Sequence, residues 1–307
     1  MRPPVAKALT HSAPPMQQPS TTRPTPVLSF TILTFLLSVT LSCASQQQDG
    51  RAQEEDVVGM GVVKHLTSTS LGERRTLNIF LPPGYEDDDT TAYPVIYLLD
   101  GAVDEDYHHV SGLVQFLTTY ALMPPSILVG IANVDRYRDF TYPSTVAEDR
   151  ERLPTSGGSE KFRQFLEAEL QPFIEATYRT APPKTLIGQS LGGLLATEIF
   201  IKTPTLFDNY IIVSPSLWWD NGTLVARVEE SLVSHPERTG KVYVSVGTEG
   251  SEMEDGVDRL VEALRMHAPP GVTWYEAPFP EETHATILHR SLYRAFELFY
   301  GETYPGY

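Results

Sequence analysis

The chain has 307 residues, 41% of them hydrophobic, and a formal charge of −16 at pH 7. That length and apolar content suffice for one sizeable core, and the acid excess disfavours nucleic acids and anionic lipid surfaces as partners. Cys43 is the only cysteine, which excludes a disulfide within the chain.

Residues 1–26 are rich in Pro, Ser, Thr and Gln, and Val27–Leu41 is an apolar, charge-free segment. It is short for a membrane span and has the length of a signal-peptide h-region. It runs into Leu41-Ser42-Cys43-Ala44. A small residue before a cysteine at that place resembles the lipobox of bacterial lipoproteins, although Thr40 stands where leucine is usual. The expectation is a lipoprotein-type signal peptide over 1–43, lipidated at Cys43, with translation starting at Met1 or Met16. A flexible polar tether over 44–56 and one domain over 57–307 follow. The implied location is the cell envelope, outside the cytoplasm, with membrane contact only through the lipid anchor.

The first strands fall between Val57 and Phe80. Arg75–Leu81 alternates polar and apolar residues, as a half-buried antiparallel hairpin at a sheet edge does. Glu86–Asp89 is an acidic turn without the spacing of a calcium loop. Tyr93–Leu99 reads as a buried parallel strand that ends in Asp100-Gly101. A helix from about Val110 to Tyr120, a strand Ser126–Ile131 and a loop to about Gly158 come next. An amphipathic helix over Glu160–Tyr178 presents Phe162, Phe165, Leu166, Leu170 and Phe173, with Pro172 placed to kink it. Strands at Tyr210–Ser214, Val242–Gly247 and Val272–Ala277 then alternate with helices at Leu224–Val233, Gly256–Met266 and His284–Tyr300. This alternation predicts an α/β domain with a mostly parallel sheet and helices on both faces.

Between the helix at 160–178 and the strand at 210 lies Thr185-Leu-Ile-Gly188-Gln-Ser190-Leu-Gly192-Gly193-Leu-Leu-Ala196. A short apolar strand, Gly-x-Ser-x-Gly and an apolar helix together make the context of a nucleophile elbow. Ser190 would sit on a strained turn with its hydroxyl exposed. Gly188 and Gly192 would let strand and helix approach, and the Leu191 N–H would face a developing oxyanion. A serine hydroxyl needs a base, and the base needs an orienting acid. Of eight histidines, those after the serine are His235, His267, His284 and His289. His284 lies in the loop after the last strand, where the base belongs. The acid should follow Val242–Val246, where Glu249, Glu252, Glu254 and Asp255 all qualify. Glu249 is nearest the strand end, with Glu252 and Asp255 in reserve. The second oxyanion donor should come from the loop after Asp100-Gly101, hence the Ala102 N–H.

The chain resembles the esterase family of α/β-hydrolases that includes esterase D, bacterial ferric-siderophore esterases, feruloyl esterases and mycobacterial mycolyltransferases. The resemblance rests on Arg75–Tyr85, Tyr93–Gly101, Gly188–Gly193, Ser214-Pro-Ser-Leu-Trp-Trp219 and Thr283-His284. It implies the α/β-hydrolase fold, with the family's serine, histidine and post-Asp-Gly residue on Ser190, His284 and Ala102 and its acid on Glu249. Trp218 or Trp219 would wall a pocket or serve the core. Arg136 and Arg138 would hold a substrate anion or brace their own loop on Asp135 or Asp139. His108, with His109, would line the entrance, and the adjacent pair lacks a third ligand for zinc. The expected function is a serine carboxylic-ester hydrolase working through an acyl-enzyme on an extracytoplasmic small-molecule ester, of siderophore type or another acylated compound. The resemblance implies no metal or organic cofactor. Acyl transfer, or silent ligand binding on the same fold, is the alternative, and the oligomeric state is open.

Overall fold

The computed structural model describes residues 59–87 and 89–306, all within one compact unit. The signal segment, Cys43 and the tether lie outside the described residues. Eight strands form a single sheet in the order β1-β2-β4-β3-β5-β6-β7-β8. β1 (Val62–Ser68) and β2 (Glu73–Phe80) make an antiparallel hairpin at one edge. β2 also pairs antiparallel with β4 (Ile127–Ile131). All remaining pairings are parallel, through β3 (Tyr93–Leu98), β5 (Thr180–Gln189), β6 (Asn209–Val213), β7 (Thr239–Gly247) and β8 (Gly271–Phe279). β2 keeps the expected alternation only in its first half. From Leu77 to Phe80 every side chain is buried, because this half sits between β1 and β4 with helices on both faces.

The central strands are apolar throughout because both faces are covered. On one face Ile96, Leu98, Ile187 and Val213 pack with α1 (Tyr107–Thr119) and α10 (Ile287–Tyr300) through Val114, Leu117, Leu292 and Phe296. On the other, Val95, Tyr97, Leu186 and Ile212 join a larger core. Its covering helices are α4 (Ser159–Phe165), α5 (Gln171–Thr177), α6 (Leu191–Lys202), α8 (Val228–Ser234) and α9 (Ser251–His267).

The helix expected over 160–178 runs without interruption from Ser159 to Thr177, with an irregularity just before Pro172. α4 passes into a single π turn, Leu166–Leu170, before α5. Pro172 has no N–H for an i→i−4 bond and its ring crowds the preceding turn, which accounts for the widening just before it. Two short helices replace parts of the expected loop before Gly158: α2 (Arg136–Phe140) and α3 (Ala147–Arg152). A third, α7 (Trp219–Gly222), carries left-handed Asp220 and Asn221 (φ 52° and 53°).

Candidate active site

The C-terminal ends of β3, β5, β6 and β7 converge on one side of the sheet, and the loops leaving them build the site. In open α/β sheets ligands bind at such strand ends. β5 ends at Gln189, and Ser190 turns the chain into α6 with φ 60° and ψ −121°. A non-glycine residue there is strained, and the strain aims its side chain away from both flanking elements. The Ser190 N–H donates to the Val213 carbonyl on β6 (3.1 Å), which holds the turn against the neighbouring strand. Two glycines make room. A Cβ on Gly188 would lie 2.3 Å from the Gly192 carbonyl oxygen, and one on Gly193 would lie 2.9 Å from Pro215 Cα. Gly192 differs from expectation: a Cβ there would meet nothing closer than 3.4 Å, so Gly193 rather than Gly192 sets the helix spacing. Leu191 opens α6, where the first N–H groups have no intrahelical acceptor.

His284 lies in the turn between β8 and α10, and Glu249 in the loop after β7. His284 Nδ1 is 2.5 Å from Glu249 Oε2. The two side chains differ sharply in access, at 44% exposed for His284 and 1% for Glu249. A ring open to the cleft is therefore held from behind by a sequestered carboxylate. The other oxygen of Glu249 accepts from the Ser214 hydroxyl (2.5 Å) and the Gly247 N–H (3.0 Å). Behind it, Glu254 Oε1 accepts the N–H groups of Glu249 and Gly250 (2.7 and 2.8 Å), closing the start of α9. Glu254 thus serves the loop backbone, Glu252 and Asp255 are exposed on the first turns of α9, and Glu249 is the carboxylate brought to the imidazole.

Ser190 and His284 line one cleft of about 420 Å³ together with Ser216, Trp218, Arg152 and Glu252. Ser190 Oγ lies 3.4 Å from Ser216 Oγ, at the long limit of a hydrogen bond. Catalytic contacts are commonly loose before a substrate is bound. The His284 loop is tied to the elbow through Gln189, whose Nε2 donates to the His284 carbonyl (2.6 Å). Sequence reasoning missed Gln189, for which no local signal exists. It also passed over Ser214 and Ser216, which it quoted only as part of the Ser-Pro-Ser-Leu-Trp-Trp stretch.

Several expected substrate contacts are placed elsewhere. Trp219 is fully buried, and its indole N–H donates to the Tyr142 carbonyl (2.8 Å), so it is a core residue; only Trp218 reaches the cleft. Arg136 forks onto Asp100 (2.7 and 2.8 Å), with burial working against its charge but the Asp100 contact raising its pKa overall. Arg138 is committed to Glu73 (2.7 and 3.0 Å) and Asp139 (2.8 Å). Both arginines brace loops because their planar donor forks match nearby carboxylates. His108 is exposed on α1 beside Tyr107 and does not line the cleft. His109 Nε2 instead meets His289 Nδ1 at 2.7 Å, joining α1 to α10.

The Ala102 N–H is not free. It donates to Glu105 Oε2 (2.9 Å), while Glu105 Oε1 accepts from Asn133 Nδ2 (2.7 Å). A side chain three residues on that reaches back to a backbone N–H is the geometry of a capping box, here at the turn leading to α1. Asp106 follows, and burial, helped by Asp100 and Glu105, pushes its carboxyl up to about 6. The folded state therefore holds a proton that the unfolded chain has lost between roughly pH 4 and 6. The ionised Asp106 costs stability above pH 6, and that cost fades as pH falls toward 4.

The family model described as "Putative esterase" matches residues 68–269. The ferri-bacillibactin esterase BesA of Bacillus subtilis is 28% identical over 246 residues, covering 72% of this chain and 83% of its own. Among solved structures, an IroE-like serine hydrolase from Shewanella oneidensis is 32% identical with a TM-score of 0.71, over 78% of this chain and 79% of that one. The BES protein of Bacillus cereus is 25% identical with a TM-score of 0.71, over 83% and 99%.

Proposed function

The chain belongs to the "Putative esterase" family, and on that premise we propose that this carboxylic ester hydrolase acts through an acyl-enzyme formed on Ser190. The observation that carries the proposal is a strained serine sharing one cleft with an exposed imidazole whose far nitrogen is held by a sequestered carboxylate. The bond to Glu249 assigns the ring proton to Nδ1 and leaves the Nε2 lone pair for the serine. His284 Nε2 takes the hydroxyl proton as Ser190 Oγ attacks the ester carbonyl. The oxyanion faces the Leu191 N–H at the positive end of α6. Nε2 then passes its proton to the leaving alkoxide, and water repeats the sequence on the acyl-enzyme. Glu249 takes no part in the proton transfers and fixes the ring. The Ala102 N–H joins the oxyanion hole when an incoming oxygen displaces the Glu105 carboxylate.

The relative named as a ferri-bacillibactin esterase supports a siderophore-type ester as the substrate. The apolar run Val27–Leu41 ahead of Cys43 supports action at the cell envelope on a lipid anchor. A Cys43→Ser protein that still fractionates with membranes would contradict the anchor. The acyl-enzyme is tested by partitioning. With butyrate esters of several phenols and alcohols at one methanol concentration, the ratio of methyl butyrate to butyrate should be the same whatever the leaving group, and it should rise in proportion to methanol. A ratio that changes with the leaving group would mean that water attacks the ester directly. Acyl transfer as the main activity would show as an acceptor alcohol outcompeting water at millimolar concentration.

A further inference from the structure

We propose that Arg152, stacked on Trp218 at the rim of the Ser190 cleft, is a specificity subsite that recognises an ionised oxygen group on the substrate, a carboxylate or a phenolate. The inference rests on the esterase reading, because it places this group on the ester to be cleaved.

Arg152 ends α3, and its guanidinium carbon lies 4.7 Å from the centroid of the Trp218 ring. Both side chains line the cleft that holds Ser190 and His284. The two segments that carry them are cross-braced. Asp149, on α3, accepts the Asp220 N–H (2.8 Å) and the Ser144 hydroxyl (2.7 Å) through Oδ2. Asp220 in turn accepts the N–H and hydroxyl of Thr145 (2.6 and 2.7 Å) through Oδ1. The buried Trp219 indole, bonded to the Tyr142 carbonyl, pins the base of the same turn. Arg152 and Trp218 are therefore presented by a rigid frame, although both lie at the edge of the cleft.

Among the described residues the charge of Arg152 meets the Trp218 ring and no carboxylate. The arginines that precede it in the same stretch of chain are consumed: Arg136 by Asp100, Arg138 by Glu73 and Asp139, and Arg150 by the Ser144 carbonyl (2.8 Å). Among the described residues no ion pair includes Arg152, and it is the one arginine or lysine lining the cleft. Glu252, the exposed carboxylate of the same cleft, does not pair with it. A guanidinium stacked on an indole is held through its face, and its in-plane N–H edges stay available. Those edges match two oxygens of a carboxylate, or the oxygens of an ionised aromatic diol. The net charge of −16 repels anions at long range, so a lone cation in the cleft acts on short-range selection rather than on steering.

The test uses matched esters. In one pair the acyl group is butyrate or hemisuccinate on p-nitrophenol. In the other the alcohol is neutral or carries a carboxylate. Arg152→Ala is expected to lower the ratio of kcat/KM for charged over neutral ester by about tenfold or more in at least one pair, and Arg152→Lys by less, because it keeps the charge and loses the fork. A ratio unchanged in both pairs would overturn the subsite. Binding gives a second readout that does not need turnover. Tryptophan fluorescence titration of Ser190→Ala protein with 2,3-dihydroxybenzoate should show about tenfold weaker binding when Arg152→Ala is added. Loss of hydrolysis in wild type with this difference intact would remove the esterase reading and leave the anion site standing. Equal affinity with and without Arg152 would remove the site.

Discussion

Ser190→Ala and His284→Ala should each lower kcat on p-nitrophenyl butyrate by on the order of a thousandfold or more, with little change in Tm. The size of the effect follows from the geometry. Ser190 supplies the hydroxyl held on the strained turn of the elbow, and His284 is the imidazole that shares its cleft. Neither side chain is a large part of the core, so stability should not follow activity. The double variant should be scarcely worse than either single one, because the two groups act as a unit and what remains comes from binding and the oxyanion donors. If His284→Ala retained most of the activity, another base would be at work, and the Glu249 contact would be structural only.

Asp139→Ala, at a residue that does not line the cleft, should cost about 3–5 kcal/mol of folding stability, measured by urea unfolding. Asp139 and Arg75 are both fully buried and meet at 2.6 Å. Arg75 also donates to Glu73 (2.8 Å) and the Ala132 carbonyl (2.9 Å), and its guanidinium lies over Phe162 at 5.2 Å. Burial alone would push the Glu73 carboxyl up, but the hydrogen bonds from Arg138 and Arg75 hold it below the usual carboxylate range. Removing Asp139 leaves the fully buried Arg75 guanidinium with Glu73 as its remaining carboxylate and one N–H without an acceptor, and that penalty exceeds the net worth of the pair. The double replacement Arg75→Met with Asp139→Leu should therefore lose less than Asp139→Ala alone. A loss under about 1 kcal/mol for the single variant would mean that the site relaxes to admit water.

How much of this was legible depended on range. The elbow could be read because Gly188, Ser190 and the apolar flanks lie within a dozen consecutive residues, and one local conformation explains them. The parallel sheet could be read because strands covered on both faces are apolar throughout. The acid could be narrowed to one loop only. Glu249 and Glu254 are five residues apart, and the difference between holding an imidazole and capping a helix is set by a loop turning back on β8. The arginines were legible only in part: the bracing of Arg138 on the adjacent Asp139 is local, and the other partners are not. Asp100 is 36 residues from Arg136 and Glu73 is 65 from Arg138, so their pairing exists only once the hairpin and α2 are packed together. Trp218 and Trp219 are adjacent, and the turn that sends one to the cleft and the other to the core depends on the left-handed Asp220 and Asn221 just after them, which no hydrophobic pattern encodes. Arg152 sat in what read as an irregular loop, so its place on Trp218 was invisible.

Covalent labelling with a fluorophosphonate, followed by mass spectrometry of the digested protein, reads the nucleophile directly. One stoichiometric adduct on Ser190 is expected, with the rate of labelling strongly reduced in His284→Ala. A folded protein that takes no label, or takes it on another residue, would contradict a serine mechanism at this elbow.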